Sequence, residues 1–250
     1  MRLLLALALG PSLAAAEAVP EFAAIDGAAA RKQAFISFLI PMIEARNDWI
    51  LDNRAFLEDL RERLAEAQLP TDGELARLTA LATHYGVEMP AGPTADVVDL
   101  LLFRGDILPV SMVLAQAANE SAWGTSRFAR EGNNYFGEWC SVPGCGMVPA
   151  QRRQGLTHEV EAFDSVEAAV HSYFRTLNRA VAFRRVRELR AEVRARGAQP
   201  QADQLLDGLQ GYSAKGQAYI DDLRSIISFN RLQAFDAAPA LPSSGAESSP

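Results

Sequence analysis

A chain of 250 residues, of which 49% are apolar, can bury the core of one domain and carry an appended segment. Its formal net charge of −7 disfavours a nucleic-acid binder, which would present a basic face, and disfavours electrostatic capture on anionic surfaces. Any anionic substrate must therefore be held by local groups.

In chain order, Met1-Arg2 precedes an apolar run, Leu3 to Leu9, which Gly10-Pro11 breaks before Ala14-Ala15-Ala16. This is the pattern of a secretory signal over 1–16, with cleavage expected after Ala16 or Ala18. The run is too short to span a bilayer comfortably, and no Cys follows it to carry a lipid. The mature chain is expected outside the cytoplasm, periplasmic or extracellular, without an integral membrane segment.

Region 17–107 reads as helical. Phe35, Phe38, Leu39, Met42, Ile43, Trp49 and Ile50 recur at helical spacing over Ala28 to Leu51, with a kink expected at Pro41. Asp52 or Asn53 is placed to cap a second helix, Arg54 to Gln68. Further helices are expected from Glu74 to Tyr85 and from Thr94 to Phe103. No ionisable cluster here suggests chemistry, so the region reads as scaffold.

Pro109 suits the first position of a helix running to about Ala122. From Gly132 to Gly155, Gly, Pro and Asn predominate, predicting loops and short strands. Cys140 and Cys145 flank a Val142-Pro143-Gly144 turn, and in an oxidising compartment they are expected to pair. A metal site would need further ligands, and His84, His158 and His171 are scattered. Alternation over Thr157 to Phe163 predicts one strand of a hairpin. Asp164 or Ser165 then caps a helix with Val170, Tyr173, Phe174 and Leu177 on its apolar face. An Arg-rich helix (Phe183 to Arg196), a short helix (Pro200 to Leu209) and a last long helix (Gln217 to Phe229) follow. Region 236–250, rich in Ala, Pro and Ser, is expected to be a disordered tail. The order, helices around a small β insertion, predicts an α+β chain that is mainly α.

The segment Ala115-Gln116-Ala117-Ala118-Asn119-Glu120-Ser121-Ala122-Trp123-Gly124 places a glutamate near the C-terminal end of a small-residue helix. The helix dipole is negative there, which disfavours ionisation, and burial would add to that. A carboxyl kept protonated is what a glycosidase acid must be. Spacing alone describes equally well a last-turn Glu that bonds loop amides.

This segment resembles the catalytic motif of glycoside hydrolase family 73, the glucosaminidase domain. Three later blocks resemble the family in order: Asn133-Asn134-Tyr135-Phe136-Gly137, Phe163-Asp164-Ser165 leading to Tyr173, and Gly211-Tyr212-Ser213 followed by Tyr219. The likeness covers about 108–232 and is nearest to the Bax-like bacterial branch. It implies a lysozyme-like domain over 108–235 with a small β-hairpin lobe, Glu120 as general acid, and Tyr212 near it. It also implies peptidoglycan glycan strands as substrate, no cofactor or metal, and a monomer. Gln116, Trp123, Asn133, Asn134, Tyr135, Phe136, Trp139 and Tyr219 become candidates for sugar binding, the aromatic rings by stacking.

The chain departs from the family at one point. Many members carry a second Glu on the hairpin, whereas Met147 to Gly155 contains no acid. Glu159, beside His158, is the first candidate to replace it, and Glu138 the alternative. If Glu120 acts alone, the substrate's acetamide supplies the nucleophile and Tyr212 guides it. The Arg run from 175 to 196 reads as a solvated face or as a site for peptide-stem carboxylates. Two further functions fit the same features: a catalytically weak peptidoglycan-binding or morphogenesis factor, and a lytic transglycosylase, which would leave a 1,6-anhydro end.

Overall fold

The computed structural model describes residues 18–150, 152, 155 and 157–236. The expected signal segment and the residues after 236 lie outside that range. The fold belongs to the α+β class and is mainly helical, as the sequence predicts.

Helix α1 (Ala28–Ala65) is one continuous element rather than the two helices expected. Asp52 and Asn53 do not cap. Asp52 pairs with Arg77 at 2.5 Å, while the Asn53 amide donates to the Trp49 carbonyl at 2.7 Å and accepts from Arg77 Nε at 2.9 Å. Pro41 sits inside the helix at a cost of about 3 kcal/mol. Burial of Phe38, Leu39, Ile43 and Ile50 on either side contributes about 1.5–3 kcal/mol each, which offsets it. The two halves of α1 serve different clusters. Phe35, Leu39 and Ile43 join the main core, while Leu57 and Leu60 join a small one.

The small cluster is completed by α2 (Asp72–Tyr85) and α3 (Ala95–Arg104). Helix α2 starts two residues earlier than expected because Thr71 and Glu74 form a reciprocal capping box. The loop after α3 brings Asp106 into the interior, where it accepts from Arg194 at 2.8 and 3.0 Å. Arg190 donates to the carbonyls of Arg104 and Asp106. This polar hub fastens the small cluster to the rest.

The main core is built on α4 (Val110–Ser121), α6 (Val166–Arg179), α7 (Arg184–Arg194), the short α8 (Ala202–Leu205) and α9 (Gln217–Phe229). Ser165 caps α6 by accepting from Ala168 N at 3.1 Å. The short α5 (Arg127–Gly132) was not foreseen. Asp236 does not begin a loose tail, since its carboxylate accepts from Ser111 N at 2.8 Å and from Ser111 Oγ at 2.5 Å.

The β lobe is a three-stranded antiparallel sheet rather than a simple hairpin. Strand β3 (Glu159–Glu161) lies between β1 (Trp139–Cys140) and β2 (Gly146–Met147). Trp139 faces Val160, and Gly146 faces Glu161. A Cβ at Gly146 would stand 2.0 Å from the Val160 carbonyl oxygen, so this crossing admits only glycine. Cys140 and Cys145 form a disulfide across the β1–β2 connection.

Candidate active site

Helix α4 is buried along most of its length, from Val110 to Ala118. It stops abruptly. Ser121 Oγ donates to Ala117 O at 2.6 Å and accepts from Gly124 N at 2.8 Å. Ala122, Trp123 and Gly124 then take φ of 50°, 58° and 77°. Left-handed backbone at two non-glycine residues costs roughly 1–3 kcal/mol each. It turns the chain away within one residue of the helix end and leaves Glu120 at the rim of a cleft.

That cleft, of ≈ 510 Å³, is lined by Glu120, Gly137, Glu138, Trp139, Glu161, Ser172, Arg175, Thr176, Phe183, Tyr212, Ser213 and Ala214. The loop before β1 passes directly over the acid, so that a Cβ at Gly137 would lie 3.2 Å from Glu120 Oε2. Burial pushes the Glu120 pKa up, opposed by hydrogen bonds from Tyr219 and Asn119 and by the charge of Lys215.

Several expected binding residues stand behind this acid and not in the cleft. Gln116 is fully buried; its amide donates to the Tyr219 hydroxyl at 2.9 Å, and its carbonyl accepts from the Tyr173 hydroxyl. Gln116 and Tyr219 therefore position Glu120 from within the core. Tyr135 and Phe136 are closed to sugar stacking: Tyr135 packs on Phe35, and Phe136 stacks on Tyr173 at 4.2 Å. Trp123 packs edge-on against Phe35 with Lys32 over its ring. Asn133 donates to the Phe163 carbonyl at 2.8 Å, and buried Asn134 donates to the carbonyls of Glu138 and Glu161. The whole Asn-Asn-Tyr-Phe-Gly block thus aims the chain past Glu120. Trp139 is the exception. It is 57% exposed and lines the cleft, with His158 beside its ring.

Tyr212 lies in the cleft, stacked on Tyr219 at 5.8 Å, and its hydroxyl donates to the Phe136 carbonyl at 2.7 Å. Its one proton is thereby committed, and the oxygen remains as an acceptor.

Glu159, the first candidate for a second catalytic carboxylate, is elsewhere. It is only 7% exposed, and both its oxygens accept from the backbone amides of Gly144 and Gly146, at 3.0–3.2 Å. Its role is to anchor the disulfide loop. Glu138 is in the cleft instead. Its Oε1 accepts from Thr176 Oγ1 at 2.7 Å, and its Oε2 is buried without a partner. Burial raises its pKa to about 7, against hydrogen bonds from Thr176 and Ser172. The signal that could have ranked Glu138 first lies on α6. Ser172, Arg175 and Thr176 share one helical face, and that polar face has to meet something polar.

A half-buried acid at a helix end and a second protonatable carboxyl line one polar cleft, the two groups that a glycosidase of the usual kind uses. Residues 100–232 match the family model described as Glucosaminidase, mannosyl-glycoprotein endo-beta-N-acetylglucosaminidase, and the chain belongs to this glucosaminidase family. Within it, the chain is similar to protein bax of Escherichia coli (strain K12), 32% identical over 218 residues that span 87% of this chain and 76% of that protein. No solved structure gives a significant match. Membership supports a peptidoglycan-directed glycosidase activity.

Proposed function

We propose that this chain is an exported endo-β-N-acetylglucosaminidase that hydrolyses the β-1,4 bonds of peptidoglycan on the N-acetylglucosamine side. The observation that carries the proposal is Glu120. It is a half-buried carboxyl with a raised pKa, it stands in a polar cleft, and it lies within the segment that matches the family. The Cys140–Cys145 disulfide supports export, because such bridges persist in oxidising compartments.

Glu120 protonates the glycosidic oxygen as the C1–O bond breaks. The acetamide oxygen of the same N-acetylglucosamine closes on C1 from the opposite face. Water then opens that ring, giving its proton to the Glu120 carboxylate, so the acid is restored. Tyr212 supports the acetamide step. With its proton spent on Phe136 O, its oxygen can accept the acetamide N–H and make the acetamide oxygen more nucleophilic. Trp139 offers an exposed ring for a sugar face.

One observation favours a second reading of the later step. Glu138 lines the cleft with a buried oxygen that has no partner and a pKa near neutrality, which suit a base once substrate and water reach it. Mass spectrometry of muropeptides after digestion tests the function itself. New reducing N-acetylglucosamine ends support it. New 1,6-anhydro ends assign a lytic transglycosylase, and no new ends leave a peptidoglycan-binding protein.

A further inference from the structure

The Arg-rich stretch of the sequence is divided by the fold. Arg187, Arg190 and Arg194 are spent on backbone carbonyls and on Asp106. Arg184 and Arg185 pair with Glu188 and Glu192 along α7. Arg175 and Arg179 on α6 are different. Among the described residues neither has a carboxylate in ion-pair contact, and both are exposed.

With His171 they recur every four residues, so the three side chains form a ridge along one face of α6, about 12 Å long. Arg175 stands in the cleft. Arg179 lies across the end of α2, its Nε 2.7 Å from where a Cβ on Gly86 would be. Beneath the ridge is Arg46, which is 6% exposed. Its guanidinium stacks on Trp49 at 4.0 Å, Nη2 lies 2.8 Å from His84 Nε2, and Nε has no partner. Arg46 has no carboxylate in contact either. Among the described residues the acid within ion-pair range of the ridge is Glu167, 3.9 Å from His171, while Glu138 and Glu161 line the same cleft as Arg175 without pairing with it. Burial and the surrounding cations push His84 down to about 4, and burial and the charge of Arg46 push His171 down as well, so the positive charge rests on Arg175, Arg179 and Arg46, with His171 as a hydrogen-bonding neighbour.

Arg175, Arg179 and Arg46 thus carry positive charge with no carboxylate in direct contact among the described residues, and an anion supplied from outside would pair with them. We propose that the ridge His171–Arg175–Arg179, backed by Arg46, receives the carboxylates of the peptide stems carried by the glycan strand. This rests on the peptidoglycan reading above and extends it. The sugars lie over Glu120, and the stems projecting from alternate sugars reach α6 and the surface contributed by α1 and α2. The N-terminal helices thereby take part in substrate recognition.

The test compares native peptidoglycan with the same strands after their stem carboxylates have been converted to amides. The native chain should prefer native strands by about tenfold in kcat/KM, chiefly through KM, and the preference should fade at high salt. In the double variant Arg175→Gln/Arg179→Gln the ratio should fall towards one, and Arg175→Lys/Arg179→Lys should restore most of it. A native chain that treats both strands alike overturns the proposal, as does a Gln variant that keeps the full preference. Co-sedimentation with insoluble native and amidated sacculi reads the site without turnover. Preferential retention on native sacculi without cleavage would overturn the hydrolase reading and keep the carboxylate site. Cleavage with equal retention would do the reverse.

Discussion

On the α4 wall of the cleft, Glu120 stands on a helix buried to its last turn, and the Tyr173–Gln116–Tyr219 chain of side chains backs it from the core. On the facing wall, Glu138 stands on a loop held by Asn134, the small sheet and a disulfide. Both carboxyls are pushed up by burial and pulled back by hydrogen bonds, Glu120 by Tyr219 and Asn119 and Glu138 by Thr176 and Ser172, but Glu138 Oε2 stays buried without a partner. Glu159, on the same lobe as Glu138, is fully satisfied by backbone amides. The difference teaches that a residue type does not set a carboxylate's role. The number of donors the fold supplies does. Two backbone amides make Glu159 an anchor, whereas the Glu138 carboxyl keeps one buried oxygen without a partner.

The sharpest break of the α4 wall is Glu120→Gln, which keeps the shape and removes the proton. Hydrolysis should fall on the order of 100-fold or more, with circular dichroism unchanged. Near-native turnover on purified peptidoglycan would remove Glu120 from the chemistry.

The walls are then set against each other. If the acetamide is the nucleophile, Tyr212→Phe loses a charge-linked hydrogen bond and should slow turnover roughly 10- to 150-fold, while Glu138→Gln costs less. The pH profile gives an independent reading. Glu120 must be protonated to act, so the rate falls as pH rises through its raised pKa. If Glu138 is a base, a second limb appears, with the rate rising through about 7. That limb, together with a Glu138→Gln variant as dead as Glu120→Gln, would replace the acetamide mechanism by a two-carboxylate one.

Stability reports on the same empty lone pair. The folded pKa of Glu138 lies above the ordinary carboxylate value, so the native state holds the proton more tightly than the unfolded chain. Below about pH 4.5 there is no penalty; between 4.5 and 7 the chain loses stability, roughly 3 kcal/mol when complete. Glu138→Gln should therefore match the native chain at pH 4 and exceed it at pH 8 in denaturant titrations. A constant difference across that window would contradict the assignment.

On the anchor side, Glu159→Gln should leave chemistry nearly intact. It should destabilise the loop by about 1–3 kcal/mol through weakened bonds to the Gly144 and Gly146 amides, read as faster proteolytic nicking there. Opening the Cys140–Cys145 bridge should have the smallest effect, about 2 kcal/mol or less for so short a loop, measured by thermal unfolding with and without reductant.

Much of the helical frame was legible in the sequence, because α3 and α6 begin at Thr94 and Ser165 and α9 follows a Gly-containing turn, whereas the Thr71 capping box of α2 was not read and moves its start two residues earlier. Helix α1 was read as two because Asp52 and Asn53 are good capping residues. Only the approach of Arg77 from α2, 24 or 25 residues away, shows that they are occupied. The position of Glu120 at the end of α4, on the cleft, was legible through its motif. The aromatic and Asn residues after it were not correctly placed, because Tyr135 and Asn134 look alike in sequence whether they face a sugar or a core. The choice between Glu138 and Glu159 depends on loop crossings fixed by Gly144 and Gly146, which leave no periodic trace.

The carboxylate of Asp236 closes the start of α4. Pro109 precedes that helix without a capping side chain, and the amide of Ser111 is satisfied by a residue 125 positions later. The helix that carries Glu120, the proposed acid, is thus clasped from the far end of the described fold. A chain emerging from a ribosome or an export channel, N-terminus first, has the whole of α4 in hand long before this clasp arrives. The setting of the proposed acid is therefore completed only after residue 236 has been added, behind every other element of the described fold.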